Sequence, residues 1–183
     1  MKGKSLCVFC GSSVGTQPSY VKKAEELGEL IAKNEIDLVY GGASIGVMGA
    51  LAESTLAAGG DVYGVMPKFL SDREVAHKKL TKLFITNSMH DRKALMANLS
   101  DGFVALPGGF GTFEELFEAI TWSQLNMHYK PVMALNTDGF YNPMVQFIDH
   151  TIESGFIKES CRDILKICYE PIEIIEYFNS FGK

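Results

Sequence analysis

The sequence has 183 residues, of which 46% are hydrophobic and 21% charged, a composition typical of a globular domain with a substantial core. Its 17 lysine and arginine residues against 22 aspartate and glutamate residues give a formal net charge of −5. This acidic balance argues against contact with nucleic acid or an anionic membrane. No segment reaches the apolar length of a membrane span or of a secretory signal, so we predict a cytoplasmic protein.

The first predicted strand covers residues 5–10 and ends in a polar loop that begins Gly11-Ser12. Cys7 and Cys10 in this strand have C-x-x-C spacing, but residues three apart in a strand point to opposite faces. Neither a second C-x-x-C pair nor a nearby histidine pair completes a zinc site. We therefore interpret these cysteines as small buried residues and predict no metal site.

Strands and helices then alternate along the chain. A helix follows the first loop, and Ser19 is placed to cap it. The second strand leads through a glycine-rich segment, residues 41–49, into an alanine-rich helix. Six strands are predicted after the first, at residues 37–40, 61–67, 83–86, 102–106, 131–135 and 164–168.

This alternation predicts one α/β domain spanning residues 1–183, a Rossmann-like three-layer sandwich with a central parallel sheet. In such sheets ligands bind at the carboxyl ends of the strands. Residues 68–82 form a polar excursion at that edge, which either covers a site or is a solvated loop. Ser88 begins the next helix in a variant capping box with Asp91, and Arg92 follows in an early turn, where arginine is usually just solvated.

The strand at 102–106 runs into Pro107-Gly108-Gly109-Phe110-Gly111-Thr112-Phe113-Glu114-Glu115, which predicts a strand, a glycine turn and a helix N-terminus. A helix start offers unpaired N–H groups to an anion, and glycine lets a phosphate approach the backbone. The negative charge of Glu115 would repel an anion bound nearby, so a carboxylate at this position is unexpected unless it has a chemical role. The alternative is structural, because Thr112 and Glu115 have capping-box spacing, and the local pattern alone favours that interpretation.

Two common nucleotide motifs are absent. Gly11 and Gly15 after the first strand do not make G-x-G-x-x-G, and Glu114 stands where the third glycine after Gly109 and Gly111 belongs. The G-x-x-x-x-G-K-[ST] motif of P-loop proteins does not occur. A mononucleotide or sugar phosphate remains the natural ligand. An arginine and a carboxylate at the same edge would suit cleavage of a nucleotide's glycosidic bond.

The nine residues from Pro107 to Glu115 resemble the P-G-G-x-G-T-x-x-E motif of the LONELY GUY (LOG) family. These are cytokinin riboside 5′-monophosphate phosphoribohydrolases, long labelled possible lysine decarboxylases. No lysine in a Schiff-base context supports the decarboxylase label. The resemblance covers nearly the whole chain and extends to these segments: Gly41-Gly42 with Gly46 and Gly49, Met66-Pro67, Glu74 with His77, Ser88 to Lys93, and Thr121-Trp122.

The resemblance implies that Arg92 and Glu115 are the catalytic pair, that no cofactor is used, and that the protein is a homodimer with its sites near the interface. It also implies a substrate site made of Glu74, Arg92, Lys93, Gly108, Gly109, Phe110, Gly111, Thr112, Phe113, Glu114, Glu115 and Thr121. Further candidates are Gly11, Ser12, Gly41, Gly42 and Met89.

The expected reaction is hydrolysis of the N-glycosidic bond of an adenine-type nucleoside 5′-monophosphate, a cytokinin riboside monophosphate or AMP, to free base and ribose 5-phosphate. A nucleotide-binding or carrier protein without turnover is the alternative. Arg92 and Glu115 weigh against it, because a binder gains little from a carboxylate beside an anion. The sequence leaves open whether the base carries an N6-prenyl group.

Overall fold

The computed structural model describes residues 3–71 and 76–181, and within them seven parallel strands form one sheet. The strands are β1 (Ser5–Phe9), β2 (Asp37–Tyr40), β3 (Val62–Pro67), β4 (Lys82–Thr86), β5 (Gly102–Ala105), β6 (Val132–Leu135) and β7 (Leu165–Cys168). The helices are α1 (Pro18–Lys33), α2 (Gly46–Ala57), α3 (Lys68–Ser71), α4 (Met89–Asn98), α5 (Phe110–Gln124), α6 (Asn142–Glu153) and α7 (Pro171–Ser180). Short 3₁₀ helices occupy Thr137–Gly139 and Glu159–Ile164.

All seven predicted strands are present, and the α/β sandwich is confirmed. The strand order β4-β3-β2-β1-β5-β6-β7 runs outward from β1 to one edge and then from β5 to the other. The order therefore reverses between β1 and β5, and a ligand crevice is expected outside the carboxyl ends of those two strands.

Two hydrophobic clusters fill the space between the sheet and its two helical layers. Leu27 of α1, Leu51 of α2 and Ile174 of α7 belong to the cluster on one face. Met96 of α4 and Leu116 of α5 belong to the cluster on the other face. The second layer therefore carries α4 and α5, the two helices that present Arg92 and Glu115.

The cysteines of the first strand lie on opposite faces of the sheet, as predicted. Cys7 belongs to the cluster beneath α4 and α5, and Cys10 to the other. Both are buried and free, and burial raises the pKa of each thiol, which favours the unreactive protonated form.

Two predicted helix caps have different outcomes. Ser88 caps α4 as predicted, because its hydroxyl accepts the Asp91 N–H at 3.0 Å. The predicted cap at Ser19 is wrong: α1 begins at Pro18 after Gln17, and the Ser19 hydroxyl donates to the Asp138 carboxylate. Proline is favoured in the first position of a helix, which moves the start one residue ahead of Ser19. In the described ranges we find no helix with the length and apolar character needed to span a membrane.

Candidate active site

A cleft of about 300 Å³ lies at the carboxyl ends of β1 and β5, where the strand order reverses. The loop after β1, the end of β2, and helices α4 and α5 form its walls. Ten of the predicted site residues line it: Gly11, Ser12, Gly41, Met89, Arg92, Gly109, Phe110, Gly111, Thr112 and Glu115.

The glycine turn after β5 brings the start of α5 to this cleft. The turn is tied to the first strand because Leu106 N–H donates to the Phe9 carbonyl at 2.9 Å, and Gly11 N–H donates to the Pro107 carbonyl at 3.2 Å. Helix α5 begins after Gly109, whose carbonyl accepts the N–H of Phe113 at 3.0 Å. The N–H groups before that bond have no acceptor within the helix and lie at the positive end of its dipole.

The glycines of this turn have different structural roles. A β-carbon on Gly108 would lie 2.1 Å from the Thr112 hydroxyl, so Gly108 allows close packing of the turn. A β-carbon on Gly109 or Gly111 would meet none of the described atoms within 4 Å. Those two glycines border open space, which is the geometry that an anion needs to reach the backbone N–H groups.

Arg92 and Glu115 form an ion pair on one wall of the cleft. Arg92 Nη1 lies 2.9 Å from Glu115 Oε1, and the two side chains are only 11% and 8% exposed. Arg92 Nε also donates to the Val65 carbonyl at 3.0 Å, so the guanidinium is anchored on β3. Gly41 packs against its far side, since a β-carbon there would lie 2.6 Å from Nη2. The guanidinium is thereby fixed from three directions.

Burial raises the pKa of Glu115, because a buried carboxyl loses the hydration that stabilises its charge. The Arg92 guanidinium acts in the opposite direction, while the neighbouring Glu114 adds to the rise. The net result is a pKa above the ordinary value of 4.5. Raised carboxyl pKa values in clefts are typical of catalytic sites, although structural ion pairs also produce them.

The capping-box interpretation of Glu115 is wrong. Helix α5 starts at Phe110 with Gly109 as its N-cap, so Thr112 lies inside the helix and is buried. The Glu115 carboxylate turns instead toward Arg92. A capping box would require Thr112 to be the N-cap, but the extended backbone at Gly109 makes that glycine the N-cap, three residues earlier.

The chain matches the family model described as possible lysine decarboxylase over residues 48–178. A cytokinin riboside 5′-monophosphate phosphoribohydrolase of Oryza sativa subsp. japonica is 49% identical over 162 residues, covering 88% of this chain and 67% of the relative. One from Arabidopsis thaliana is 48% identical, and the match covers 99% of this chain and 84% of the relative. One from Rhodococcoides fascians is 47% identical, and the match covers 90% of this chain and 84% of the relative. The chain belongs to the LONELY GUY family.

Solved structures share the LONELY GUY fold at much lower identity. The molybdenum cofactor carrier protein of Chlamydomonas reinhardtii superposes with a TM-score of 0.74 at 22% identity, covering 98% of each chain. The molybdenum cofactor binding protein of Rippkaea orientalis gives a TM-score of 0.73, also at 22% identity, over 100% of each chain. These likenesses describe the fold alone.

Three residues of the predicted substrate site, Lys93, Phe113 and Glu114, do not line the cleft. Lys93 is buried and binds the carboxylates of Glu114 and Glu118, the latter at 2.9 Å. Burial lowers the pKa of Lys93, but the two carboxylates more than offset this, so its pKa is raised. Phe113 packs on the rings of Phe140 and Tyr141. These contacts tie α5 to α4 and to the residues just before α6.

The remaining predicted residues occupy other positions. Thr121 is exposed, six residues after Glu115, and its hydroxyl donates to the Phe117 carbonyl at 2.7 Å. Gly42 is buried with a φ of +84°, and its carbonyl accepts the His77 N–H at 3.0 Å. Glu74 lies outside the described residues.

Met48 and Leu70 line the cleft and were not predicted. Leu70 belongs to α3, at the start of the polar excursion predicted at residues 68–82, so this end of the excursion contributes to the site. An apolar residue in a polar segment just after a strand end was the available signal. The anchoring role of the Val65 carbonyl left no signal in the sequence, because every residue has that group.

Proposed function

We propose that this protein hydrolyses the N-glycosidic bond of adenine-type nucleoside 5′-monophosphates, cytokinin riboside monophosphates or AMP, to free base and ribose 5-phosphate. The observation that carries the proposal is the Arg92–Glu115 ion pair in the same cleft as the open N-terminus of α5. A phosphate site and a buried carboxylate are the two groups that such a reaction requires.

The 5′-phosphate binds at the start of α5, where Gly109 and Gly111 leave the backbone accessible. Glu115 lies four residues beyond Gly111, about 6 Å along the axis at 1.5 Å per residue. That separation suits a nucleotide whose phosphate rests on the helix start and whose ribose C1′ faces the carboxylate. Met48, Leu70, Met89 and Phe110 supply apolar surface for the base.

In the reaction the C1′–N bond breaks and its electron pair goes to the base, which gains a proton. A water oxygen bonds to C1′ and releases its proton. The transition state resembles an oxocarbenium ion, and the negative charge of Glu115 stabilises it or positions the water. The buried setting strengthens this electrostatic effect relative to water.

Arg92 keeps Glu115 ready for this role. Its charge opposes the rise in pKa that burial causes and so favours the carboxylate form. Its bond to the Val65 carbonyl fixes the guanidinium, and the guanidinium fixes the carboxylate. Arg92 also lines the cleft, where it orients the substrate.

A carrier protein on the same fold is the alternative. The structural likeness to a molybdenum cofactor carrier, at an identity of 22%, shows that such a carrier can share this fold. The buried Arg92–Glu115 pair favours turnover, because burying a carboxylate costs free energy that phosphate binding does not require.

The test is to incubate the protein with AMP and with isopentenyladenosine monophosphate and to measure released base by chromatography. Glu115→Gln is expected to lower release by about 10²- to 10⁴-fold while leaving the affinity for ribose 5-phosphate largely unchanged. Nucleotide binding without release by the wild-type protein would overturn the proposal in favour of the carrier.

We further propose a homodimer that buries an exposed stripe along α5 and its C-cap. The stripe consists of Phe117 and Thr121 on α5 and the C-cap residue Leu125, which follow one another at four-residue intervals and are all exposed. Thr121, which faces away from its own cleft, would then contribute to the site through this interface. Sedimentation velocity tests the proposal: Leu125→Glu is expected to convert a dimer to a monomer, and a monomeric wild-type protein would contradict it.

We also propose that residues 1–183 act as one nucleotide-binding domain in the cytoplasm. The continuous seven-stranded sheet supports the first point. The free state of all four cysteines supports the second, since disulfides are typical of oxidising compartments.

A further inference from the structure

A buried tyrosine hydroxyl holds the strand end that leads into the glycine turn. The Tyr141 hydroxyl donates to the Leu106 carbonyl at 2.7 Å, and both residues are almost fully buried. Leu106 directly precedes Pro107, the first residue of the P-G-G-x-G-T motif. Tyr141 itself lies 35 residues away in sequence, just before α6.

The peptide group between Leu106 and Pro107 depends on this one hydrogen bond. Proline has no backbone N–H, so the Leu106 carbonyl is the only hydrogen-bonding group in that peptide plane. The next carbonyl, that of Pro107, accepts the Gly11 N–H. The orientation of the first plane therefore sets the direction in which Gly108 and Gly109 leave the strand and the α5 N–H groups point.

Tyr141 is itself held firmly. Its N–H donates to Asn136 Oδ1 at 2.7 Å, and Asn136 Nδ2 donates to Asn142 Oδ1 at 2.7 Å. Its ring packs edge-on against Phe140, at 5.0 Å between centroids, and against Phe113 at 6.5 Å. A hydroxyl fixed in this way can act as a rigid support for the turn.

We propose that Tyr141 is a positioning residue for the phosphate group of the substrate, acting through the Leu106 carbonyl on the N–H groups at the start of α5. The inference rests on the proposed function for the identity of the phosphate ester. Arg92 is anchored separately, by the Val65 carbonyl on β3, and it holds the Glu115 carboxylate. The hydroxyl should therefore affect phosphate binding more than bond cleavage.

The test is Tyr141→Phe, which removes one oxygen and keeps the ring. The expected result is a rise of about 5- to 10-fold in the KM for AMP, the loss of roughly one hydrogen bond, with kcat changed less than twofold. Calorimetric titration is expected to show the same rise in the dissociation constant of ribose 5-phosphate. The affinity for adenosine, which lacks the phosphate, is expected to stay within twofold.

The matched control is Tyr63→Phe. Tyr63 is also buried, but it lies near Asp37 and Asp61, away from the cleft, so all of these constants are expected to stay within twofold of wild type. Asn136→Ser, which loosens Tyr141 without removing its hydroxyl, is expected to raise the ribose 5-phosphate dissociation constant in the same direction by a smaller factor. It provides the test if Tyr141→Phe does not fold.

Three results would overturn the inference: an equal loss of affinity for ribose 5-phosphate and adenosine, a fall in kcat at unchanged KM, or the same shift in Tyr63→Phe. The calorimetric titration measures ribose 5-phosphate binding and does not require the protein to catalyse a reaction. If the wild-type protein binds ribose 5-phosphate but releases no base from nucleotides, the proposed function fails while the role of Tyr141 in phosphate binding is still measured.

Discussion

Two glycine-rich junctions reach the cleft, and glycine serves a different purpose in each. The first junction, residues 41–49, connects β2 to α2. The second junction, residues 107–112, connects β5 to α5. In the sequence both are a buried strand followed by several glycines and a helix, and they look equivalent.

In the first junction most glycines are required by the chain itself. Gly42 and Gly46 have φ values of +84° and +63°, which side chains disfavour. A β-carbon on Gly46 would also lie 2.2 Å from the backbone of Ser12, and one on Gly49 would lie 2.3 Å from the Ser44 carbonyl oxygen. Substitution here forces the backbone itself to move.

In the second junction, Gly109 and Gly111 are under no such constraint. Gly109 has a φ of −105°, which any residue adopts, and both positions face open space. Their lack of a side chain is best explained by a ligand that approaches the backbone. The comparison therefore separates glycines that permit the fold from glycines that leave room for the substrate.

The largest expected effect is that of Gly46→Ala. The left-handed backbone costs about 1 kcal/mol, and the clash with main chain adds about 1–3 kcal/mol, a large part of a typical stability of about 5–15 kcal/mol. Urea unfolding followed by circular dichroism measures the loss. Gly59→Ala is the matched control, because Gly59 has a φ of +83° but open space around it. Equal losses in the two variants would mean that the clash is relieved at no cost.

The next effect is on activity, from Gly109→Ser in the second junction. Serine is a favoured N-cap, so the free energy of unfolding is expected to stay unchanged or to rise by a few tenths of a kcal/mol. Its hydroxyl would occupy the N–H groups that bind phosphate, so kcat/KM is expected to fall about 10- to 100-fold. Gln17→Ser introduces the same cap on α1, at a residue that does not line the cleft, and is expected to keep full activity. A fully active Gly109→Ser enzyme would contradict the phosphate site.

Gly41→Ala is expected to have a smaller effect, which falls mainly on kcat and only slightly on stability. Its β-carbon would meet the end of the Arg92 side chain at 2.6 Å and Met48 Sδ at 3.0 Å, and both of these groups can move. We expect a stability within about 1 kcal/mol of wild type and a fall in kcat of about 10-fold. If the effect passes through Arg92, Gly41→Ala has little further effect in an Arg92→Gln background. Additive losses in this double-mutant cycle would show an independent cause.

The difference between the junctions also marks the limit of prediction from the sequence. Buried strands and glycine turns are local patterns, so all seven strands and the cleft-lining residues of the second junction were predicted. The contact of Arg92 with the Val65 carbonyl and that of Lys93 with Glu118 were not predicted, because these partners are distant in sequence and come close only in the folded chain. The capping box failed because the start of α5 depends on the direction in which the turn leaves β5, and Tyr141 helps to fix that direction from 35 residues away.

The smallest expected effect is the pH dependence of stability that Glu115 contributes. Burial raises its pKa above 4.5, so between pH 4.5 and the raised value the unfolded chain loses this proton while the folded protein keeps it. Ionisation therefore favours unfolding, and the stability of the wild type relative to Glu115→Gln falls as pH rises through that window and then stays constant. Urea unfolding of both proteins from pH 4 to pH 8 measures this difference, and Glu25→Gln, at an exposed position on α1, corrects for the loss of one negative charge. A relative stability that rises with pH would mean that Arg92 outweighs burial. The Glu115 carboxylate would then stabilise the fold. It would belong with the glycines of the first junction, which the fold requires, and not with Gly109 and Gly111, which leave room for the substrate.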